Sequence, residues 1–116
     1  MQYMQKECDK MNESVRQTQH YTIEDIHNLP DGQQAELIDG QIYMISAPGR
    51  MHQKLVKDLM YAIENYIRHK DGDCEVYPSP FAVFLTDTDK QTYLEPDLSV
   101  VCDKTKLTDE GCKGAP

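Results

Sequence analysis

A chain of 116 residues, 39% hydrophobic with only two Phe and no Trp, bounds one small domain with a modest core. No stretch approaches the roughly 20 apolar residues a bilayer span needs, and the N-terminus lacks the apolar run of a signal peptide, so a cytoplasmic protein without membrane contact is expected. The net charge of −8 opposes non-specific binding to DNA phosphates and favours docking onto a basic partner.

The charge is uneven along the chain. Residues 21–49 carry five acids and no Lys or Arg, residues 50–70 carry five basic side chains against Asp58 and Glu64, and residues 71–116 carry ten acids against four lysines. Two acidic regions thus flank one basic segment. Cys8, Cys74, Cys102 and Cys112 show no C-x-x-C spacing, and four cysteines do not fix a pairing, so reduced thiols are expected.

Residues 1–20 have too little apolar patterning to pack firmly and are expected to form a flexible tail, with the domain running over 21–116. Thr22 followed by Asp25 marks a helix entry, and Leu29-Pro30-Asp31-Gly32 stops that helix with turn chemistry. Asp39-Gly40, between β-rich arms, predicts a two-residue hairpin in which Leu37 faces Ile42 and Glu36 faces Tyr43. Glu36 then lies on the sheet face opposite Leu37.

After Ala47-Pro48-Gly49, residues 51 to about 69 predict a long helix. Met51, Leu55, Leu59, Ala62, Ile63, Tyr66 and Ile67 fall on one arc, with Arg50, Lys54, Lys57 and Arg68 opposite. His52 sits within the apolar arc, a position where a histidine is either a hydrogen-bonded core residue or a functional one. Lys70-Asp71-Gly72-Asp73 ends the helix, and strands follow at C-E-V-Y-P and F-A-V-F-L-T, split by Pro78-Ser79-Pro80. A polar turn over 86–90 leads to a strand Y-L-E-P-D-L-S-V-V, on which Glu95, Asp97 and Ser99 share one face. Pro96 cannot donate to a ladder and belongs at an edge, a strand start or a bulge. The end of the chain reads as loop. The fold class that results is α/β, of α+β character, with a mixed or antiparallel sheet and the long helix packed across one face.

Glu36, Glu95 and Asp97 are carboxylates on strands, the residue type that shares Mg²⁺ or Mn²⁺ with water and phosphate oxygens. The order of segments adds to this. Tyr21-Thr22 with Glu24-Asp25, Glu36-Leu37-Ile38-Asp39-Gly40, Ala47-Pro48 with His52-Gln53, Val76 to Phe81, Pro96-Asp97-Leu98-Ser99-Val100-Val101 and Gly111 to Pro116 together resemble the Uma-type restriction endonuclease family of the PD-(D/E)XK nuclease superfamily.

That resemblance implies a metal-dependent DNA endonuclease site with Asp97 as first metal-binding acid, Glu36 as auxiliary carboxylate and His52 as a helix residue facing it. It also implies a second acid and a lysine, both beyond the stretch that resembles Gly111 to Pro116. The chain is therefore expected to be a half-domain whose catalysis is incomplete, requiring no cofactor, with Mg or Mn bound only if it acts as a nuclease. Two functions stay open. The first is an acidic binding protein, an anti-CRISPR-like inhibitor that competes with DNA for a basic host-defence nuclease; the second is the N-terminal part of the endonuclease itself. A homodimer is expected, because the strand that should follow Pro116 and pair beside the one bearing Asp97 is absent, which leaves an edge or an apolar face to cover.

Overall fold

The computed structural model describes residues 20–85 and 91–116. Expectations for the first nineteen residues and for the turn at 86–90 fall outside them. The elements run α1 (Ile23–His27), β1 (Gln34–Ile38), β2 (Gln41–Ile45), α2 (Arg50–His69), β3 (Glu75–Pro78), β4 (Ala82–Phe84), β5 (Tyr93–Leu94), β6 (Leu98–Val101), a 3₁₀ turn (Lys104–Lys106), β7 (Leu107–Thr108) and β8 (Gly111–Lys113). This is a mixed α/β chain with one long helix, as its patterning implies. The residues fall into two compact units, one of residues up to Ser46 with those up to Leu94, the other of 47–85 with 95–116.

In the first unit, α1 begins as its sequence predicts. Thr22 caps it, with the Asp25 amide donating to the Thr22 hydroxyl and the Thr22 amide donating to the Asp25 carboxylate at 2.7 Å, a reciprocal box that satisfies two otherwise orphaned N–H groups. The β1–β2 hairpin has the register expected, Leu37 opposite Ile42 and Glu36 opposite Tyr43. Its turn needs positive φ at both central residues, and Asp39 (φ 50°) and Gly40 (φ 79°) supply it. Gly40 is fixed further: its carbonyl accepts from the Tyr21 amide at 2.8 Å, and a Cβ there would press on His20. β5 pairs antiparallel with β1 through Leu37 and Tyr93. Ile26, Ala35, Leu37 and Tyr93 form the buried set.

In the second unit, α2 runs from Arg50 to His69 and stops at Lys70, after which Asp71 takes positive φ and Gly72 donates back to the Ile67 carbonyl. The helix packs chiefly on β3. The face it turns inward is rotated away from the expected arc, with which it shares only Ile63 and Ile67. Val56, Met60, Ile63 and Ile67 are half-buried, whereas Met51, Leu55, Leu59 and Tyr66 are each more than half exposed. The periodicity thus locates the helix but not the face it buries, which takes in Val56 and Met60 and leaves Met51, Leu55, Leu59, Ala62 and Tyr66 outside.

The strand anticipated over Y-L-E-P-D-L-S-V-V is two strands. β5 and β6 are separated by Glu95-Pro96-Asp97, because Pro96 has no N–H to continue a ladder. β6 pairs antiparallel with β3, from Glu75 opposite Val101 to Pro78 opposite Leu98. The chain's end is also more ordered than a loop. Asp103 caps the 3₁₀ turn by accepting from the Thr105 amide and hydroxyl, bonds that hold its carboxyl below the usual carboxylate range. β8 then pairs parallel to β4 and antiparallel to β7. Val83, Phe84, Val101 and Cys112 are the buried apolar residues here.

The cysteines overturn the expectation of reduced thiols. Cys74 and Cys102 form a disulfide, with Cα atoms 4.1 Å apart, while buried Cys112 is free. Their pairing follows from the β3–β6 register. Cys74 precedes Glu75 and Cys102 follows Val101, so a ladder that pairs Glu75 with Val101 brings the two thiols together, which linear spacing does not reveal.

Joining residues 28 apart restricts the unfolded chain, so replacing both cysteines by serine should cost roughly 3–4 kcal/mol by loop-closure entropy. Urea denaturation of wild type and the Cys74→Ser, Cys102→Ser variant measures this. A loss below about 1 kcal/mol would assign the ribbon's stability to its ladder and helix instead.

Candidate functional site

Asp97 and His52 meet within the second unit. The His52 ring Nε2 lies 3.1 Å from Asp97 Oδ2, with the side chains 43% and 67% exposed. An ionised carboxylate only accepts, so the imidazole Nε2–H is the donor in this pair. At this exposure the contact contributes at most about 1 kcal/mol to stability, which makes it an orienting contact rather than a structural support.

Each partner is positioned by its own element. His52 is the third residue of α2, within one turn of a helix start that has Gly49 as its cap, no side-chain capping bond and no acid in its first turn. The helix macrodipole makes such a start favourable for negative charge. Asp97 precedes β6 directly, and its carbonyl accepts from the Ser79 amide at 3.0 Å, one step past the last β3–β6 pair. The backbone is thereby fixed on the β3 side while the carboxylate projects toward the helix. Pro96 and Gly49 both break regular structure, and Asp97 follows Pro96 directly while His52 lies three residues beyond Gly49.

Glu36 belongs to the first unit, on β1, half-buried on the face opposite Leu37 as the hairpin register requires. His52 and Asp97 are thus brought together within one unit, and Glu36 is carried by the other. Among the described residues, no three His, Cys, Asp or Glu side chains gather into a group able to hold a metal ion.

A divalent cation nonetheless fits the Asp97 carboxylate, with His52 as the group that orients it. His52 is the sole side-chain hydrogen-bond partner of Asp97 among the described residues and engages Oδ2, so Oδ1 stays open to solvent. Mg²⁺ binds through one or two carboxylates while keeping several waters, and a hydrogen bond to a liganding carboxylate fixes its orientation. Asp97 would hold the ion and His52 would orient Asp97.

Ser99 is a residue whose surroundings the sequence did not disclose. Alternation from Asp97 does place it on the Asp97 face, and in β6 that face is the inner one: Ser99 is 5% exposed and Val101 fully buried, whereas Val100 is 37% exposed. Its hydroxyl has no hydrogen-bond partner among the described residues. Tyr77, opposite Ser99 on β3, donates its hydroxyl to the Glu75 carboxylate, and this bond raises the phenol above its ordinary range.

Burying an unpaired hydroxyl is unfavourable, so Ser99→Ala should leave stability unchanged or raise it by up to about 1 kcal/mol in urea denaturation. A loss larger than about 1 kcal/mol would mean the hydroxyl bonds an ordered water beneath Asp97. Spectrophotometric titration of the tyrosines should show a late-titrating component that Tyr77→Phe removes. No such component would mean the Glu75 bond is not kept in solution.

No curated protein matches the chain. The Uma2 family model, described as a putative restriction endonuclease, matches residues 23–116, a span that takes in Glu36, His52 and Asp97 together. With a match over most of its length and the Asp97–His52 pair set where a strand start meets a helix start, the chain belongs to the Uma2 family of the PD-(D/E)XK nuclease superfamily.

Proposed function

We propose that this chain supplies the Asp97–His52 arm of a divalent-cation-dependent site for phosphodiester hydrolysis in DNA. The observation that carries this reading is the exposed Asp97 carboxylate, held on one oxygen by His52 and open on the other. Membership in a family described as a putative restriction endonuclease supports this reaction class, and the ion, when bound, would polarise the phosphate and lower the pKa of a water.

The chain's own residues have simpler tasks. Asp97 offers oxygen donors at a fixed backbone position, and His52 keeps the carboxylate from rotating. The basic face of α2, with Arg50, Lys54 and Lys57 near the same helix end, offsets the repulsion an acidic protein imposes on a phosphate backbone. Glu36 is the auxiliary acid of this reading.

A second reading rests on the charge distribution. A chain of net charge −8 with two acidic regions suits an inhibitor that occupies the basic DNA groove of a host-defence nuclease, in the manner of an anti-CRISPR protein. Asp97 would then have no special weight.

Three measurements separate them. Mn²⁺ should broaden the NMR signals of Asp97 and His52 first, and Asp97→Ala should abolish that broadening. Plasmid nicking with Mn²⁺ should fall by at least about 100-fold in the same variant. Broadening spread over all acidic segments, or nicking unchanged by Asp97→Ala, would overturn the hydrolytic reading. Protection of plasmid from a guide-loaded effector nuclease, unaffected by Asp97→Ala, would establish the inhibitor.

A further inference from the structure

The second unit holds a cavity of about 330 Å³ between the segment that follows β3 and the β7–β8 hairpin. One wall is aromatic. Tyr77 and Phe81 stack with ring centroids 4.5 Å apart and planes 7° from parallel, and Pro80 extends this wall. The lining also includes Leu107 and, at the hairpin turn, Asp109 and Glu110.

The floor is fixed in place. Gly111, paired with Ala82 in the parallel β4–β8 ladder, has φ +146°, and a Cβ there would come within 2.1 Å of the Ala82 carbonyl. Only glycine permits that approach, so the hairpin cannot retreat from the aromatic wall without breaking the ladder.

The two carboxylates differ. Glu110 pairs with Lys113 at 3.6 Å, whereas Asp109 is exposed and has no side-chain hydrogen bond or ion pair among the described residues. Tyr77 has its hydroxyl occupied by Glu75, so it presents ring rather than donor to the cavity. A flat π surface together with a free carboxylate rejects anions and underuses a neutral ligand. A compact, strongly hydrated ammonium gains little from the apolar wall. A guanidinium uses both features, stacking its plane on the aromatic wall and donating its fork to the carboxylate, and the cavity, at the small end of the range for ligand pockets, has room for one long side chain.

We propose that this pocket is a docking site for an arginine side chain of a partner protein, distinct from the Asp97–His52 pair and independent of whether that pair hydrolyses DNA. The acidic net charge of the chain draws such a partner in, and the pocket sets where one of its arginines seats.

The test is an NMR titration of the full ¹⁵N-labelled chain with N-acetyl-arginine amide, alongside the lysine and citrulline amides and free arginine. Arginine amide should shift the amides of Tyr77, Phe81 and residues 109–111, binding at least about threefold more tightly than lysine amide, with citrulline amide weaker still. The Asp109→Asn, Glu110→Gln variant, altered only at exposed turn positions, should bind at least about fivefold more weakly with the rest of its spectrum unchanged. Equal shifts at Asp25 or Asp31, retention of binding in the variant, or citrulline binding as well as arginine would overturn the proposal. Tighter binding of free arginine than of its capped amide would overturn the protein partner in favour of the amino acid.

Discussion

The β3–β6 ribbon is the constraint on which the second unit depends, because four ladder positions fix where everything else must lie. One end is closed by the Cys74–Cys102 disulfide and the other by the Ser79 amide on the Asp97 carbonyl. A ribbon of two short strands is marginal alone, and here the covalent link at one end and α2 packed on β3 supply what the ladder lacks. A slip of one residue would reverse the faces, moving Ser99 and Val101 outward and Asp97 away from His52. The Asp97–His52 contact is weak in itself, so its geometry is inherited from the register rather than maintained by its own energy.

Much of this was legible in the chain where a local rule had a single solution. The Asp39-Gly40 turn fixed the hairpin register residue by residue, and Thr22 with Asp25 fixed the start of α1, because turn and cap chemistry act over two to four residues. The candidate residues Asp97 and His52 were singled out by segment order, and the fold places them 3.1 Å apart. What the sequence could not show was non-local. The disulfide follows from a strand register between segments 28 residues apart, and the short β7 and β8 strands exist because β4 accepts β8 as a parallel neighbour, a pairing no local pattern announces. Amphipathic periodicity gave the position of α2 but not its buried face, since Val56 and Met60 turn inward while most of the expected arc stays exposed, and a stripe records what can be buried and not what covers it.

The polarity of β6 runs against simple reading. Leu98 and Val100 look like its core face, yet Ser99 and Val101 are the residues turned inward. An inner face that ends in Asp97 lets the strand pass from core to solvent within a few residues, so the carboxylate emerges at the margin of the packed region with its backbone rigid and its side chain wet. A carboxylate meant to meet a hydrated ion needs that combination, since full burial would penalise its charge and a loop position would leave it unaimed. The unpaired Ser99 hydroxyl is consistent with a strand chosen for its end rather than for its packing.

The three-residue turn from Pro78 to Pro80 joins the two surfaces that the second unit offers. Pro78 pairs with Leu98, Ser79 donates to the Asp97 carbonyl, and Pro80 continues the aromatic wall of the cavity. Prolines on either side of Ser79 remove two backbone donors and two freely rotating φ angles, so the single N–H that remains is directed at Asp97 with little freedom to turn elsewhere. The Asp97 backbone is thus held by a single, well-directed amide at the end of the ribbon away from the disulfide.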